Sequence, residues 1–466
     1  IGGTDLTLTN NDFTNSGSAS NNPAIYLDAF LENSITGGLA MSQNTFAGTT
    51  SYIVHLNNMK DITFSKNAGA GITAVIESTP ALHEITGSGN FFRADDCTNL
   101  TFDDVDFSYV NAADANQGVA SGIYLEDCIN SVIKNSKFND RTIGINVERG
   151  TDLEITNSEV KDCGTNNVNN PAMYIRNITE GSLNGGIKMS GNEFYGTRAL
   201  FTPLRINNMS GFTITNGTPA GDIELEDGTS GITNSIANGL YLDDVSEVTV
   251  NNVDLSCDTG TQEGYGLRSE NGSDVTHAIT VNACKFNDRG AGLYVNNGTD
   301  VTVTNNIFTD CSSLVNTGAI ILNSLVQSGS LPGGFLVSGN TFTNSGGSSL
   351  TNVGIRLSNL SNFIISDGSV TGSSVILATD ELSDYTFAGI QLLACAEVEI
   401  SQLMMTATNS KTGRAILFDN VDKSNISNCL FADYNYVLEM NGTSDDCSVS
   451  CCAFDDNNRG ISSSAS

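Results

Sequence analysis

Residues 2–13 read GGTDLTLTNNDF, and residues 297–308 read NGTDVTVTNNIF. The two stretches share eight of their twelve letters, although almost three hundred residues separate them. In both, apolar side chains alternate with threonines, and an Asn-containing turn and a Phe follow. Alternation of this kind predicts a β-strand with one buried face, and Asn tolerates the left-handed backbone of a turn. The chain therefore repeats a unit made of a strand and a turn.

The unit recurs along the whole chain. With k as its first apolar position, apolar residues fall at k, k+2 and k+7, and a small or polar residue falls at k+4. Sixteen stretches fit, with k at 6, 39, 62, 100, 131, 153, 187, 212, 248, 279, 301, 335, 363, 398, 424 and 447. A second strand of the form G-(I/L)-x-(L/V) usually follows, as in GIYLED at 122–127. Single coils of this length cannot bury a core, but stacked coils bury a continuous one.

Two positions of the unit predict columns of like residues, because stacked strands lie about 4.8 Å apart. Position k+7 is Phe in ten coils, and we expect these rings to form the structural core: Phe13, Phe46, Phe107, Phe138, Phe194, Phe286, Phe308, Phe342, Phe431 and Phe454. Position k+4 is Asn in seven coils, and we expect an Asn ladder along the turns: Asn10, Asn135, Asn157, Asn216, Asn252, Asn305 and Asn428.

A longer period of 148 residues is also present. Gly-Gly pairs at 37–38, 185–186 and 333–334 share this spacing, and KFNDR recurs at 137–141 and 285–289. Five coils thus form a block. We interpret the chain as a single solenoid domain over 1–466, with the following parts: a leading coil at 1–33 and blocks at 34–181, 182–329 and 330–466.

This pattern resembles the right-handed parallel β-helix repeat family, the pectin-lyase-like solenoids, over nearly the whole chain. The resemblance implies an all-β fold, a right-handed parallel β-helix of about 16 coils. It is specific for the fold and carries little information on function. Lyases, glycosidases, phage tailspikes, adhesins and inert surface proteins all use this fold.

Composition limits the partners. The formal net charge is −32, with 52 acidic against 20 basic residues, and 39% of the residues are hydrophobic. Such a surface excludes nucleic acid as a partner and argues against binding to anionic membranes. No run of about 18 apolar residues suggests a transmembrane helix. We expect an extracellular or cell-surface protein with no membrane insertion.

Both ends of the sequence lie within the coil pattern. The chain opens in a core strand, and residues 458–466, NRGISSSAS, match a second strand cut short. In coil phase the tail of one molecule fits the head of another, and such a contact between unlike ends produces open filaments. The alternative is that the sequence is a fragment of a longer chain.

Candidate sites for chemistry are few. Asp103, Asp104 and Asp106 are the weak candidates for Ca²⁺, but their neighbours in adjacent coils are Lys, Asn and Ser rather than further carboxylates, so solvated turns are the expected role. In KFNDR, an Asp–Arg pair is expected to serve a turn and a salt pair. The three histidines, His55, His83 and His277, lack metal-ligand spacing. We expect no cofactor, with Ca²⁺ the sole candidate ion.

Cysteines and aromatic residues complete the inventory. Cys97 with Cys128, and Cys429 with Cys452, occupy equivalent positions one coil apart, so each pair predicts either a disulfide or a ladder of buried thiols. Trp is absent, which counts against a polysaccharide enzyme. Packing in or beside the core is expected for the tyrosines of the second strands: Tyr124, Tyr174, Tyr241 and Tyr294.

Three functional hypotheses follow. The first is a non-catalytic, extracellular structural protein that self-assembles head to tail into a filament or the shaft of a surface appendage. The second is a polysaccharide lyase or glycoside hydrolase, with a groove built by the loops at 110–120, 165–170 and 259–264. The third is an adhesin whose loops bind glycans or cell-surface proteins.

Overall fold

A computed structural model of the chain describes residues 3–14, 16, 22–44, 46, 52–67, 69–72, 74–75, 91–108, 121–164, 170–195, 202–216, 221–225, 238–257, 264–272, 277–311, 318–327, 331–343, 353–368, 371–377, 385, 387–407 and 413–464. The chain divides into two compact units, residues 1–235 and 236–466. In the described residues, no helix is long and apolar enough to cross a membrane.

In its described residues, the first unit consists of short strands and of 3-10 turns at Thr36–Gly38 and Asn184–Gly186. The strands are β1 (Gly3–Thr4), β2 (Leu6–Thr9), β3 (Ile25–Asp28), β4 (Phe30–Leu31), β5 (Leu39–Ser42), β6 (Val54–Asn57), β7 (Lys60–Ser65), β8 (Ala74–Val75), β9 (Phe92–Asp95), β10 (Thr98–Asp103), β11 (Ile123–Lys134), β12 (Lys137–Asn139), β13 (Ile145–Thr156), β14 (Glu159–Lys161), β15 (Met173–Thr179), β16 (Ile187–Ser190), β17 (Glu193–Tyr195), β18 (Leu204–Asn207), β19 (Thr213–Thr215) and β20 (Ile223–Glu224).

The second unit is built in the same way, with a 3-10 turn at Pro332–Gly334. Its strands are β21 (Asn238–Asp243), β22 (Val248–Asn251), β23 (Tyr265–Glu270), β24 (Ile279–Asn282), β25 (Lys285–Asn287), β26 (Ala291–Asn296), β27 (Val301–Thr304), β28 (Ile307–Thr309), β29 (Gly318–Asn323), β30 (Phe335–Ser338), β31 (Thr341–Thr343), β32 (Val353–Ser358), β33 (Ser361–Asp367), β34 (Val375–Leu377), β35 (Ala388–Leu393), β36 (Ala396–Ser401), β37 (Met404–Thr406), β38 (Arg414–Asp419), β39 (Asn425–Ser427), β40 (Leu430–Ala432), β41 (Tyr436–Asn441), β42 (Ser448–Ser450), β43 (Ala453–Asp455) and β44 (Arg459–Ser464).

The coils contribute strands to up to three parallel faces. Strands that contain position k form face A, as in the pairing of β2 with β5. Short strands around the k+7 residue form face B, as in β12, β14 and β17. The second strands form face C, as in β3, β6 and β9. Every pairing among the described strands is parallel, and all of these pairings except β7 with β8, β19 with β20 and β33 with β34 join different coils. This confirms the all-β, parallel β-helical fold; the coil count and the block boundaries stay predictions.

Face A departs from simple stacking after each Gly-Gly turn. In the first unit, Ala74 of β8 pairs with Met41 of β5 on one side and with Phe64 of β7 on the other. A short strand therefore lies between two coils that the sequence predicts to be direct neighbours. We call β8, β20 and β34 the wedge strands, since β20 separates β16 from β19, and β34 separates β30 from β33. On face C, the second strands of the coils that β8 and β34 separate pair directly, β6 with β9 and β32 with β35.

The Gly-Gly turns explain where each wedge begins. Gly37 has φ of 68°, and a Cβ there would lie 2.7 Å from the carbonyl oxygens of Lys60 and Asp61 at the start of β7. Only glycine allows both the left-handed backbone and this approach. The two coils thus touch at the turn, while Met41 and Phe64 further along each pair with Ala74 between them.

The Phe residues at position k+7 include stacked pairs of rings and two rings that are not fully buried. Ring centroids lie 4.9 to 5.2 Å apart in Phe13–Phe46, Phe107–Phe138, Phe286–Phe308 and Phe308–Phe342, with nearly parallel planes. Eight of the ten expected core rings are buried. The expectation is wrong for Phe454, which is 39% exposed and tilted against Phe431, and Phe13 is only half-buried. One-sided packing leaves Phe454 accessible, since the described contact to it comes from Phe431.

The predicted Asn ladder lies one position later in the coil than expected. Positions k+4 do serve the turn, because Asn10, Asn135, Asn157, Asn252, Asn305 and Asn428 have φ of 49° to 57°; Asn216 is not among the residues with positive φ. The buried amide ladder, however, lies at k+5. Asn306 is fully buried, receives the N–H of Cys284 at 2.8 Å, and donates to Asn340 at 2.9 Å. A side chain at k+5 points inward, whereas one at k+4 points to solvent.

The Asp of the GTD motif has a defined structural role. In the first unit, the Asp152 carboxylate accepts N–H groups of Gly181 and Leu183 at 2.9 and 3.0 Å, and the Ser182 hydroxyl at 2.7 Å. Asp5 makes the corresponding contacts with residues 33–35. Burial disfavours the charge, but these hydrogen bonds outweigh it and lower the pKa of Asp152. The motif therefore holds the loop that precedes each of these Gly-Gly turns.

KFNDR carries two fully buried arginines. Asp140 and Asp288 have positive φ, which fits the expected turn. Arg141 donates through Nε to the carbonyl oxygen of Phe107 at 2.7 Å, and Arg289 donates in the same way to Leu255. The guanidinium groups thus fasten the main chain of the preceding coil, a role that the expected salt pair did not include.

Candidate functional site

The richest array of polar chemistry lies on the outward side of face C. In β11, Ile123 and Leu125 are buried, while Tyr124 and Glu126 point outward. The register of the first unit aligns two outward columns. One contains Tyr26, His55, Arg93, Tyr124, Asn146, Tyr174 and Arg205, and the other contains Asp28, Asn57, Asp95, Glu126, Glu148, Arg176 and Asn207.

Arginine is concentrated on this surface, which we call the arginine–tyrosine face. Apart from the buried Arg141 and Arg289, the arginines of the described residues all lie in face C strands: Arg93, Arg149, Arg176 and Arg205 in the first unit, and Arg268, Arg356, Arg414 and Arg459 in the second. Arg suits such a surface because its planar group pairs with carboxylates and stacks on aromatic rings at once.

In the first unit the charges form a continuous network. Glu126 contacts Arg93 at 3.0 Å and also pairs with Arg149. Glu148 contacts Arg149 at 3.1 Å and also pairs with Arg176. The Tyr124 hydroxyl lies within hydrogen-bond distance of both carboxylates, at 3.1 and 3.0 Å. Burial and these carboxylates raise the pKa of Tyr124, so the phenol stays protonated.

A histidine lies at one end of this network. The Nε2 atom of His55 is 2.8 Å from Asp95, whose carboxylate also accepts Nε of Arg93 at 2.9 Å. The Arg93 guanidinium lies over the Tyr124 ring, 5.1 Å from its centroid. Burial raises the pKa of Asp95, but the hydrogen bonds from His55 and Arg93 outweigh it, so the pKa is lowered and the group is ionised.

The second unit repeats the chemistry with different residues. Arg268 stacks between Tyr241 and Tyr265, at 5.1 and 5.5 Å from their ring centroids, and contacts Glu270 at 2.7 Å. The Tyr241 hydroxyl donates to Glu270 at 2.9 Å. Further along, Arg414 lies 4.6 Å from the Phe387 centroid and pairs with a glutamate, and Arg459 stacks on Tyr436.

The sequence analysis found the tyrosines of this face but not their partners. Tyr124, Tyr174, Tyr241 and Tyr294 do flank the core, on its outer side. The arginines were missed, although Arg356 and Arg268 occupy the variable position of the second-strand motif, in GIRL and GLRS. A comparison of that variable position between coils would have revealed that Arg and Tyr recur there.

The structure separates the three candidate Ca²⁺ ligands. Asp103 contacts Lys134 at 3.3 Å, Asp104 pairs with Lys66, and Asp106 accepts the N–H of Ser108 at 3.0 Å. Within the described ranges, no three His, Cys, Asp or Glu side chains are grouped to hold a metal ion. Asp103 and Asp104 instead pair with two different lysines.

The structure describes the predicted cysteine pairs but not most of the residues of the predicted groove loops. All four paired cysteines are free thiols in the structure, with Cys97, Cys128 and Cys429 buried and Cys452 half-buried. The predicted loops at 110–120, 165–170 and 259–264 lie outside the described residues except for Asn170 and Gly264, and His83 also lies outside them. His277 is buried, and its Nδ1 is 2.7 Å from the carbonyl oxygen of Val245.

Comparison with known proteins finds similarity among solved structures but not among sequences. No protein-family model matches the chain, and no curated protein sequence matches it. Among solved structures, tailspike protein 3 of bacteriophage CBA120 is similar, with a TM-score of 0.29 and 11% identity over 92% of this chain. This chain spans about half, 52%, of that tailspike chain. The A-module of the Azotobacter vinelandii mannuronan C-5 epimerase matches with a TM-score of 0.22 and 10% identity, over 80% of this chain and 91% of its own.

The fold is a parallel β-helix. The strand pairings of each unit carry this conclusion, and the expected resemblance to β-helical proteins is confirmed as a likeness of fold. Within this β-helix the core columns repeat from coil to coil, whereas the arginine–tyrosine face varies. Arg93, Tyr124, Asn146 and Tyr174 follow one another at a single outward position.

Proposed function

We propose that the protein is a non-catalytic, extracellular structural β-helix, a subunit of a filament or of the shaft of a surface appendage. The observation that carries the proposal is the closure of the charge network on the arginine–tyrosine face. Glu126 and Glu148 are each held by two arginines and by the same tyrosine hydroxyl. Groups that satisfy one another across successive coils stabilise the stack.

Net charge sets the conditions for assembly. At −32, copies of the chain repel one another at low ionic strength, and salt or divalent cations would screen that repulsion. We expect end-to-end assembly to strengthen as salt rises. Electron microscopy of the purified chain, at several salt concentrations with and without calcium, tests this. Separate particles at every condition would overturn the filament part of the proposal.

The charge network itself is tested by Glu126→Gln. This change keeps the shape but removes the charge that holds Arg93 and Arg149. We expect a lower thermal midpoint, with a difference that shrinks at high salt. Glu154→Gln is a matched control in the same unit, because the Glu154 carboxylate contacts a single lysine, Lys188, at 2.9 Å. An equal loss for both variants would contradict a specific stabilising network.

A second candidate function is a polysaccharide lyase or hydrolase. It is favoured by the His55–Asp95 hydrogen bond beside Arg93, because a carboxylate that orients an imidazole is typical of a general base. The test is incubation with neutral and acidic polysaccharides. Cleavage that His55→Gln abolishes, and that Asp103→Asn leaves intact, would establish the enzyme. Binding on a glycan array without cleavage would instead support an adhesin.

A further inference from the structure

Two cysteines of the second unit lie directly beside each other in adjacent coils. Leu430 of β40 pairs with Ala453 of β43, and the N–H of Ala453 donates to the carbonyl oxygen of Cys429 at 2.8 Å. Cys429 and Cys452, one residue before each of these positions, are therefore in register. Neighbouring parallel strands place Cα atoms about 4.8 Å apart, which lies within the range that a disulfide spans.

The two thiols point in the same direction. The Sγ atom of Cys429 donates to the carbonyl oxygen of Ser427 at 3.1 Å, and that of Cys452 donates to Ser450 at 3.3 Å. Each thiol also reaches a carbonyl of the preceding coil, Ile400 and Ile426 respectively. Equivalent contacts mean equivalent rotamers, so rotation about χ1 in one residue turns its sulfur toward the other.

Solvent exposure distinguishes the Cys429–Cys452 pair from the corresponding cysteine pair in the first unit. Cys97 and Cys128 are also in register, but their exposures are 0% and 4%, so both are sealed from solvent. In the second unit, Cys429 is 3% exposed while Cys452 is half-buried. One thiol of this pair can therefore meet a small oxidant in the folded protein.

We propose that Cys429 and Cys452 form a disulfide in the folded protein when a small-molecule disulfide is the oxidant, whereas Cys97 and Cys128 remain thiols. The Cys452 thiolate attacks the oxidant, forms a mixed disulfide and releases one thiol. The Cys429 thiolate then attacks the Cys452 sulfur and displaces the second thiol. The two cysteines lose two electrons and two protons, and the oxidant becomes two thiols.

The second step is the slow one. Burial raises the pKa of Cys429 to about 12, so its thiolate is scarce at neutral pH. We therefore expect the mixed disulfide on Cys452 to accumulate first, and the internal disulfide to replace it faster as pH rises. The cross-link would fasten two successive coils covalently, in any compartment that holds disulfides. This inference does not depend on the proposed structural function.

The experiment is oxidation of the folded full-length chain with glutathione disulfide, followed by alkylation and peptide mapping by mass spectrometry. The expected result is a peptide pair joined through Cys429 and Cys452, with Cys97 and Cys128 alkylated only after unfolding. Cys451→Ser is the control, because it removes the exposed neighbouring thiol and leaves the pair intact. The cross-link should form in it at the same rate.

Two variants make the result decisive. In Cys429→Ser, Cys452 should stop at the glutathione adduct, and in Cys452→Ser, Cys429 should stay a thiol. The second variant changes a half-buried residue and so tests the proposal even if the first does not fold. The proposal is overturned if Cys452 ends bonded to Cys447 or Cys451, if it remains a glutathione adduct in the wild type, or if Cys97 and Cys128 oxidise at the same rate.

Discussion

Two adjacent asparagines allow the position of the stabilising amide ladder to be tested. Asn306 is fully buried, whereas Asn305 is exposed at a turn with φ of 57°. The Asn306 amide accepts the N–H of Cys284 and donates to the carbonyl oxygen of Val281 at 3.0 Å and to Asn340 at 2.9 Å. Asn305 donates one exposed side-chain hydrogen bond. We predict that Asn306→Ala destabilises the protein far more than Asn305→Gly does.

The magnitudes follow from what each change leaves behind. Asn306→Ala deprives two buried main-chain groups, the Cys284 N–H and the Val281 carbonyl, of their side-chain partner, whereas Asn340 keeps the main-chain N–H of residue 306. Each such group costs about 1–3 kcal/mol, so we expect a loss of about 2–6 kcal/mol. Asn305→Gly keeps the left-handed backbone and removes one exposed hydrogen bond, so we expect about 1 kcal/mol or less. The two changes lie on one coil and share the same unfolded chain around them.

The assay is equilibrium unfolding in urea, followed by far-UV circular dichroism because the chain contains no Trp. Free energies come from linear extrapolation, and unchanged slopes would show that the unfolded state is comparable in the variants. If Asn306→Ala lost less than about 1 kcal/mol, buried amides would not be the stabilising element. Equal losses of unfolding free energy in the two variants would contradict the assignment of the stabilising amide ladder to position k+5 rather than k+4.

Two further predictions concern the GTD motif and the Gly-Gly turns. Asp152→Asn should cost about 1–3 kcal/mol at neutral pH. Because the folded pKa of Asp152 is lowered, its contribution is complete above the unfolded pKa of about 3.9 and is lost as pH falls through the folded pKa, so melting curves of both proteins should converge in acid. Gly37→Ala should cost more than Gly71→Ala by about 1–3 kcal/mol, since both have positive φ but only at Gly37 does a Cβ meet backbone. Equal melting temperatures for the two glycine variants would contradict the close approach of the coils at Gly37.

The local periodicity of the sequence predicted the structural features that depend on the residues of a single coil. The alternation at k and k+2 placed Leu100 and Phe102 in the core, and the 148-residue spacing placed the Gly-Gly turns. The same reasoning put Asp103 beside Lys134 and Ser65, as the register has it. It placed the amide ladder one residue too early, because Asn at k+4 and Asn at k+5 look alike in sequence. Only their inward or outward direction separates the turn residue from the ladder.

The wedge strands mark the limit of such reasoning. Phe64 and Ala74 pair in parallel although only nine residues lie between them, and Ile214 pairs with Ile223 across an even shorter connection. A parallel pair ordinarily needs a crossover of a dozen residues or more, so a sequence this short between two apolar stretches is normally interpreted as a turn or a hairpin. The pairing is possible because Ala74 also pairs with Met41 of the preceding coil, a partner that lies 33 residues earlier in the chain. The short strand β8 is therefore stabilised by its pairing with the preceding coil, a partner that the sequence around Ala74 does not indicate. The Gly-Gly turn is the local signal that an additional strand can pair beside it.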